Sequence, residues 1–390
     1  MVLHGGYVYR TANRDFAPLD IWIEGSQIRG IAPHGSFDDR DTEHTDASGC
    51  WIVPGLIDVH THGRVGFDFV SCATEGIEKM TTDYARRGVT TVMPTIETAS
   101  LEQMLKATEQ INRFIPNTGQ SNLCGVHWEG RYLNPEKKGA HDVQLLALPD
   151  AEELEAPALK ACKKLHISLA MELDRNGTFS KAAQAMGATL GLGHTMSTFA
   201  EAKEAEGRGI VSYTHLFNAM PTLHHREGGA VCAALTGDRI VELISDGIHI
   251  CPEMIRLTHQ CKGVDGISLV SDSMSAAGCR DGNYKVCGMP VTVKDGIARN
   301  DQSGALAGST LSLDMAVNRF AAFCNIPLTE AIISATATPA RQIGIYDSVG
   351  SIDIGKQADL LLLKNPERLI PEKILLRGKW LSSKSENVTP

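Results

Sequence analysis

Asp58-Val59-His60-Thr61-His62 ends an apolar run that begins at residue 52. Side chains alternate along a strand, so two histidines separated by one residue point to the same face and offer two nitrogens to a divalent ion. This run is the first of eight. Residues 89–96, 123–129, 167–173, 189–194, 210–215, 240–245 and 267–272 follow as short apolar runs. Amphipathic stretches separate them, with apolar or Ala positions recurring at three and four residues across 75–87, 101–114 and 198–208, which predicts helices there. Strands alternating with helices, eight times over, predict a (β/α)8 TIM barrel.

The residues at the downstream ends of these runs share a chemistry. His60 and His62 close the first, Glu129 the third, His194 the fifth and His215 the sixth; Asp246 and His249 follow the seventh, and Asp272 ends the eighth. In a barrel of this kind the C-terminal mouth of the strands is where chemistry sits. Glu129 lies in Val126-His127-Trp128-Glu129-Gly130, where the glycine lets the backbone pass close to the site. With His194 in Gly191-Leu192-Gly193-His194-Thr195 and His215 in Tyr213-Thr214-His215-Leu216, the donors form a nitrogen and oxygen set suited to zinc, iron or a similar transition metal. A single histidine at a strand end is more often a structural residue, and His4, His34, His44, His166 and His259 are read that way. Five donors in one register position, His60, His62, Glu129, His194 and His215, are read as a metal set. A bound divalent ion brings the pKa of water down to about 7 and polarises a carbonyl oxygen. Amide hydrolysis also needs a proton carrier, and Asp272 in Leu269-Val270-Ser271-Asp272-Ser273-Met274 is the candidate. Its alternative role is a helix N-cap.

Outside the barrel, residues 3–9 and Asp20-Ile21-Trp22-Ile23-Glu24-Gly25-Ser26-Gln27-Ile28 carry strand and hairpin signals. A polar stretch, 34–49, reads as surface. Near the other end, residues 352–359 lead into the apolar run 360–363. Two β-rich ends around a long middle predict a small β-sandwich domain formed by both termini, residues 1–52 and 345–390, beside a hydrolase barrel of residues 53–344.

Composition narrows the partners. A formal charge of −9 lacks the basic field that nucleic acid or an anionic membrane requires. No apolar stretch reaches the ~20 residues of a membrane span. Met1-Val2-Leu3-His4-Gly5-Gly6 shows no basic region leading into an apolar one, which predicts no secretory signal and a cytoplasmic location. The 10 cysteines are scattered without C-x-x-C spacing, as expected of reduced core thiols.

Pro54-Gly55-Leu56-Ile57-Asp58-Val59-His60-Thr61-His62-Gly63 and the segment from Gly350-Ser351-Ile352 to Ala358-Asp359-Leu360 resemble the opening and closing signatures of the amidohydrolase superfamily. Within it, Thr214-His215-Leu216-Phe217-Asn218-Ala219-Met220, His225-Arg226-Glu227, Ser245-Asp246-Gly247-Ile248-His249 and Gly304-Ala305-Leu306-Ala307-Gly308-Ser309 resemble the N-acetylglucosamine-6-phosphate deacetylases, over nearly the whole chain. The resemblance implies that Glu129, His194 and His215 hold the main metal and that His60 and His62 permit a second, so that one or two ions of zinc, iron or manganese bind per subunit. It implies Asp272 as the acid and base, and His141 as the group that hydrogen-bonds the acetyl carbonyl. Asn218, the backbone of Ala219, His249 and Arg226 would hold the sugar phosphate, with Arg226 supplied across the interface of a homodimer.

Two positions depart from the family's usual pattern. Arg131 stands after Glu129-Gly130 where proline is usual, and Gly228 after Arg226-Glu227 where proline is usual. Arg131 is either an extra anion contact or a rim charge paired with a carboxylate. The rivals are the galacto epimer of the substrate, another amidohydrolase, and a non-catalytic scaffold of the same fold. A dihydropyrimidinase-type enzyme bridges its metals through a modified lysine on the fourth strand, and here that run ends Ala170-Met171-Glu172-Leu173. A scaffold would have shed its ligands, and this chain keeps them.

Overall fold

Eight parallel strands make a ring: β1 (Leu56–Thr61), β2 (Val89–Glu97), β3 (Val126–Glu129), β4 (Leu165–Leu169), β5 (Thr189–Leu192), β6 (Ile210–Tyr213), β7 (Ile240–Leu243) and β8 (Ile267–Leu269). Pairing runs in chain order from β1 to β8. The ring closes at its C-terminal end, where the Asp272 amide donates to the His60 carbonyl at 2.9 Å and the His62 amide to the Ser273 carbonyl at 2.8 Å. The computed structural model describes residues 1–38, 41–286 and 288–382. Because both faces of a barrel strand are covered, β1, β2 and β4 are buried at every position, which is why they read as largely apolar runs rather than alternating ones.

Two of the predicted runs hold more than one element. The first divides at Gly55, so that Trp51–Pro54 leaves for the other sheet, pairing with Tyr7 and Val8 and with Leu360–Leu363. A Cβ on Gly55 would lie 2.2 Å from Thr90 Oγ1, so only glycine lets the chain pass so close to β2. The fourth stops at Leu169, and Met171–Leu173 is a single 3-10 turn. Glu172 in that turn accepts hydrogen bonds from the hydroxyls of Thr195 and Ser197 and from the Met196 amide, which ties down the segment after β5.

The predicted helices form at Thr74–Arg86, Leu101–Arg113 and Phe199–Gly207. The last two begin with capping boxes, Ser100 with Gln103 and Thr198 with Glu201, each satisfying two end amides that would otherwise be open. Between β3 and β4 the connection is irregular instead. It consists of three 3-10 turns and the short helix Pro157–Lys160. After β8 an antiparallel three-stranded sheet, Gly282–Val286, Met289–Lys294 and Ile297–Asn300, rises before the helix Leu313–Cys324.

Both termini build the second large sheet. The hairpin Asp15–Glu24 with Gln27–Pro33 forms as the Glu-Gly-Ser turn predicts. Asp15–Glu24 is long enough to serve two partners, pairing with Tyr7–Arg10 through its first half and with Val2–Leu3 through its second. Leu360–Leu363 shows how the sheet joins the barrel. Leu360 and Leu362 enter a small core with Leu3, Ile21 and Ile52, whereas Leu361 and Leu363 face the opposite way into the barrel's own core. Alternation along the strand therefore makes one apolar run serve two cores.

The described cysteines are all free, but Cys251, Cys261 and Cys279 are exposed, so the expectation of core thiols fails for these three. No helix among the described residues is long and apolar enough to cross a membrane.

Candidate active site

Glu129 is the centre of the arrangement. Its Oε1 lies 2.9 Å from His215 Nε2 and 3.4 Å from both His194 Nε2 and His60 Nε2; its Oε2 lies 3.2 Å from His62 Nε2 and 3.7 Å from His141 Nε2. All six residues are buried. The Gly130 that follows has φ +127°, and a Cβ there would lie 1.9 Å from Thr98 Oγ1, so glycine is required for Glu129 to sit where it does.

His194, His215 and Asp272 all adopt left-handed backbone, with φ of 47°, 28° and 47°. Three non-glycine residues held this way at one rim store strain of the kind found at functional sites. Each stands just beyond its strand, where the chain must turn outward while the side chain stays over the barrel mouth.

The donors fit a divalent cation. Nδ1 of His194 donates to the Lys137 carbonyl at 2.7 Å, so its Nε2 carries a lone pair, aimed at the same point as His215 Nε2 3.0 Å away. His60 Nε2 and Glu129 Oε1 are buried without a hydrogen-bond partner. Burial alone would push the carboxyls of Glu129 and Asp272 up, but the surrounding imidazoles outweigh it, holding Glu129 well below the usual carboxylate range and Asp272 at about 2. Two carboxylates among nitrogen donors complement a small hard charge. Two groups have ligand atoms within 4.8 Å of one another, His60 with His62 and Glu129, and Glu129 with His141 and His194.

Asp272 is not a helix N-cap. No helix follows it, and its Oδ1 lies 3.2 Å from His62 Nε2 and 3.7 Å from His60 Nε2. His141 comes from the irregular connection after β3, and its Nδ1 is 3.4 Å from the Thr98 amide.

Glu129, His62, His141, His194, His215 and Asp272 line a cavity of about 160 Å³ together with Asn218, Ala219 and His249. Positive φ alternates with ordinary backbone at His215, Phe217 and Ala219. Alternation of this kind turns backbone N–H groups toward one side, the geometry of anion nests. Asn218 Nδ2 donates to the carbonyls of His215 at 3.1 Å and Leu216 at 3.4 Å. His249 Nδ1 lies 2.6 Å from Asp246 Oδ2; burial disfavours its charge, the carboxylate outweighs that, and the ring titrates above the usual histidine range.

Arg226 is the one predicted site residue that the fold does not bring in. It sits in an exposed stretch, 222–227, outside this cavity. Arg131 bonds Glu153 at 3.0 Å, and the same carboxylate accepts from Tyr132 Oη at 2.6 Å, so it is a paired rim charge.

Two acidic residues of the region were not singled out in the sequence. Glu97, at the end of β2, lines the cavity and pairs in register with Glu129, so the strand-end rule would have found it had the run been carried one residue further. Glu242 lies inside β7, and its signal was a charge in an otherwise apolar strand.

The model of the amidohydrolase family matches residues 51–381. A curated N-acetylgalactosamine-6-phosphate deacetylase of Escherichia coli O157:H7 is 32% identical over 93% of this chain and 96% of its own. The crystal structure of an N-acetylglucosamine-6-phosphate deacetylase from Thermotoga maritima superposes with a TM-score of 0.86 at 31% identity, over 98% of this chain and 99% of that one. A mutant deacetylase from Mycobacterium smegmatis, in complex with N-acetyl-D-glucosamine-6-phosphate, superposes with a TM-score of 0.88 at 26% identity, over 98% of this chain and 99% of that one.

Proposed function

The chain belongs to the amidohydrolase family, and from that premise we propose that it hydrolyses the acetamide of N-acetylglucosamine 6-phosphate to glucosamine 6-phosphate and acetate. The observation that carries this reading is the convergence of Glu129, His194 and His215 on one point, with Asp272 and His141 beside it in a single cavity. Glu129, His194 and His215 would hold a main divalent ion, and His60 with His62 a second; zinc, iron and manganese all suit the donor set. Such an ion supplies a water activated at neutral pH and a polarised carbonyl.

The chain's own residues do the rest. His141 donates a hydrogen bond to the acetyl oxygen as it gains negative charge. Asp272 takes the proton from the attacking water and delivers it to the nitrogen as the C–N bond breaks, so acetate and the free amine leave. Asn218, the Ala219 amide and His249 hold the phosphate, and Arg226 of a second copy completes its pocket, since a guanidinium pairs bidentately with phosphate. The barrel, expected from the sequence over 53–344, carries all of these groups, although Val53 and Pro54 pair in the small domain's sheet and its first strand starts at Leu56. The small domain comprises 1–52 and 345–390, of which 383–390 lie outside the described residues. A cytoplasmic setting suits the free thiols.

The N-acetylgalactosamine 6-phosphate reading is carried by the Escherichia coli relative at 32% identity. Acetate release decides between them, measured on both phosphorylated epimers and on unphosphorylated N-acetylglucosamine, with protein supplied with zinc, iron or manganese. Preference for the phosphorylated gluco compound is expected. Turnover of the galacto epimer alone would establish the second reading, and turnover of none would overturn both.

A further inference from the structure

A carboxylate that is no part of the cavity lies beneath the cluster. Glu242 in β7 is fully buried. Its Oε2 accepts from His60 Nδ1 at 2.9 Å and from the His215 backbone amide at 3.3 Å, and its Oε1 accepts from Gln342 Nε2 at 2.7 Å. Gln342 ends the helix Ala337–Gln342, and its Nε2 also reaches Ser212 Oγ at 3.2 Å. A charge in an apolar strand interior is costly unless donors satisfy it. Here three donors come from three different elements.

Two of those donors belong to the proposed ligands. A neutral imidazole has one N–H and one lone pair, so an Nδ1–H committed to Glu242 leaves the lone pair of His60 on Nε2. That Nε2 is the buried atom without a hydrogen-bond partner, 3.4 Å from Glu129 Oε1 and 3.7 Å from Asp272 Oδ1. The His215 amide is donated from a residue at φ 28°, a strained backbone that needs an external hold. His62 has no comparable clamp: its Nδ1 lacks a hydrogen-bond partner, with Glu97 Oε2 3.9 Å away.

We propose that Glu242 is the positioning residue of the metal centre, fixing His60 in its Nδ1–H tautomer and, through the same oxygen, holding the backbone of His215. One carboxylate thereby sets two ligands, one in β1 and one just beyond β6. The proposal rests on the reading of His60 and His215 as metal ligands. It goes beyond that reading in assigning the control of their geometry to a residue that touches neither ion nor substrate.

Glu242→Gln tests it. The amide keeps the size of the side chain but carries no charge, and Gln342 can turn its own amide to meet it, so the bond lost is the charge-assisted one from His60 Nδ1 to a carboxylate partner. Loss of such a partner weakens metal binding about 10–100-fold. Zinc affinity is read by competition with a chelator, with circular dichroism confirming the fold. The second measurement does not depend on the Glu242 variant: heteronuclear NMR of isotope-labelled histidine in the zinc-loaded, unaltered protein, with the His60 ring assigned by its disappearance in His60→Gln. The expected results are the fall in affinity and a proton on His60 Nδ1. Unchanged zinc affinity in Glu242→Gln, or a His60 proton on Nε2, would overturn the proposal. Failure of the unaltered protein to bind zinc, iron or manganese would instead remove the metal reading on which it rests.

Discussion

The backbone amide of Asp272 donates to the carbonyl of His60 at 2.9 Å, so the bond that closes the barrel also joins the proposed proton carrier to a proposed metal ligand. Asp272 is held there in left-handed backbone with φ 47°, and its carboxylate reaches His62 Nε2 at 3.2 Å. Closing the ring and placing the acid–base group are thus one event in the fold. A residue on a flexible loop would not hold that distance.

Asp272→Asn is the replacement that isolates the chemistry, because asparagine tolerates left-handed backbone and keeps the side chain's shape. The amide cannot take a proton from water. Turnover should fall about 10²–10⁴-fold while the bound metal stays. Near-normal kcat with metal present would remove Asp272 from its role.

His141 is predicted to act as a neutral donor. Burial is the main cause that pushes its pKa down to about 3, with the neighbouring His194 adding to it. A histidine depressed in this way becomes charged only below about pH 3, so across the assay range it stays neutral and contributes no limb to the pH–rate profile. His141→Gln should therefore lower kcat by about 10²–10³, the usual cost of one oxyanion donor, and leave the limbs where they were. Disappearance of a limb in the variant would show that His141 titrates during turnover.

Much of the architecture was legible because burial on both faces writes barrel strands as apolar runs and puts polar residues at their ends. His60, Glu129, His194, His215 and Asp272 could be found by that rule alone. The rule failed at Gly55, where two strands of different sheets are continuous in sequence and only the close approach to Thr90 separates them. It also failed at Glu242, which sits inside its strand and not at the end, and whose purpose depends on His60, 182 residues away in the chain. The placement of His141 rests on an irregular connection of 3-10 turns, which has no periodicity to read. Arg226 lies outside its own cavity, and a single chain carries no sign of what it meets.

Arg131 departs from the family's pattern without entering the cavity. Its guanidinium is bonded to Glu153 at 3.0 Å, both side chains being largely buried, and Glu153 also accepts from Tyr132. Arg131→Ala should leave KM for the phosphorylated sugar within about twofold, and should cost about 1–3 kcal/mol of stability by stranding that carboxylate. Thermal unfolding and steady-state kinetics on the same preparation separate the two effects. A large rise in KM with an unchanged melting temperature would reverse the assignment and make Arg131 a substrate contact.

Arg226 supplies the sharpest test of how sites are assembled. Arg226→Ala and Asp272→Asn should each be nearly inactive alone. If the arginine comes from the second copy, a mixed dimer of the two variants contains one complete site, built from Asp272 of one chain and Arg226 of the other. Random pairing of equal amounts puts half of the chains in mixed dimers with one intact site of two, so activity should return to about a quarter of the unaltered protein's. If instead Arg226 serves its own chain, every site in the mixture lacks one of the two residues, and mixing restores nothing. Acetate release before and after co-refolding or co-expression reads the difference directly, and failure to rise above the two parents would place Arg226 in its own subunit's site.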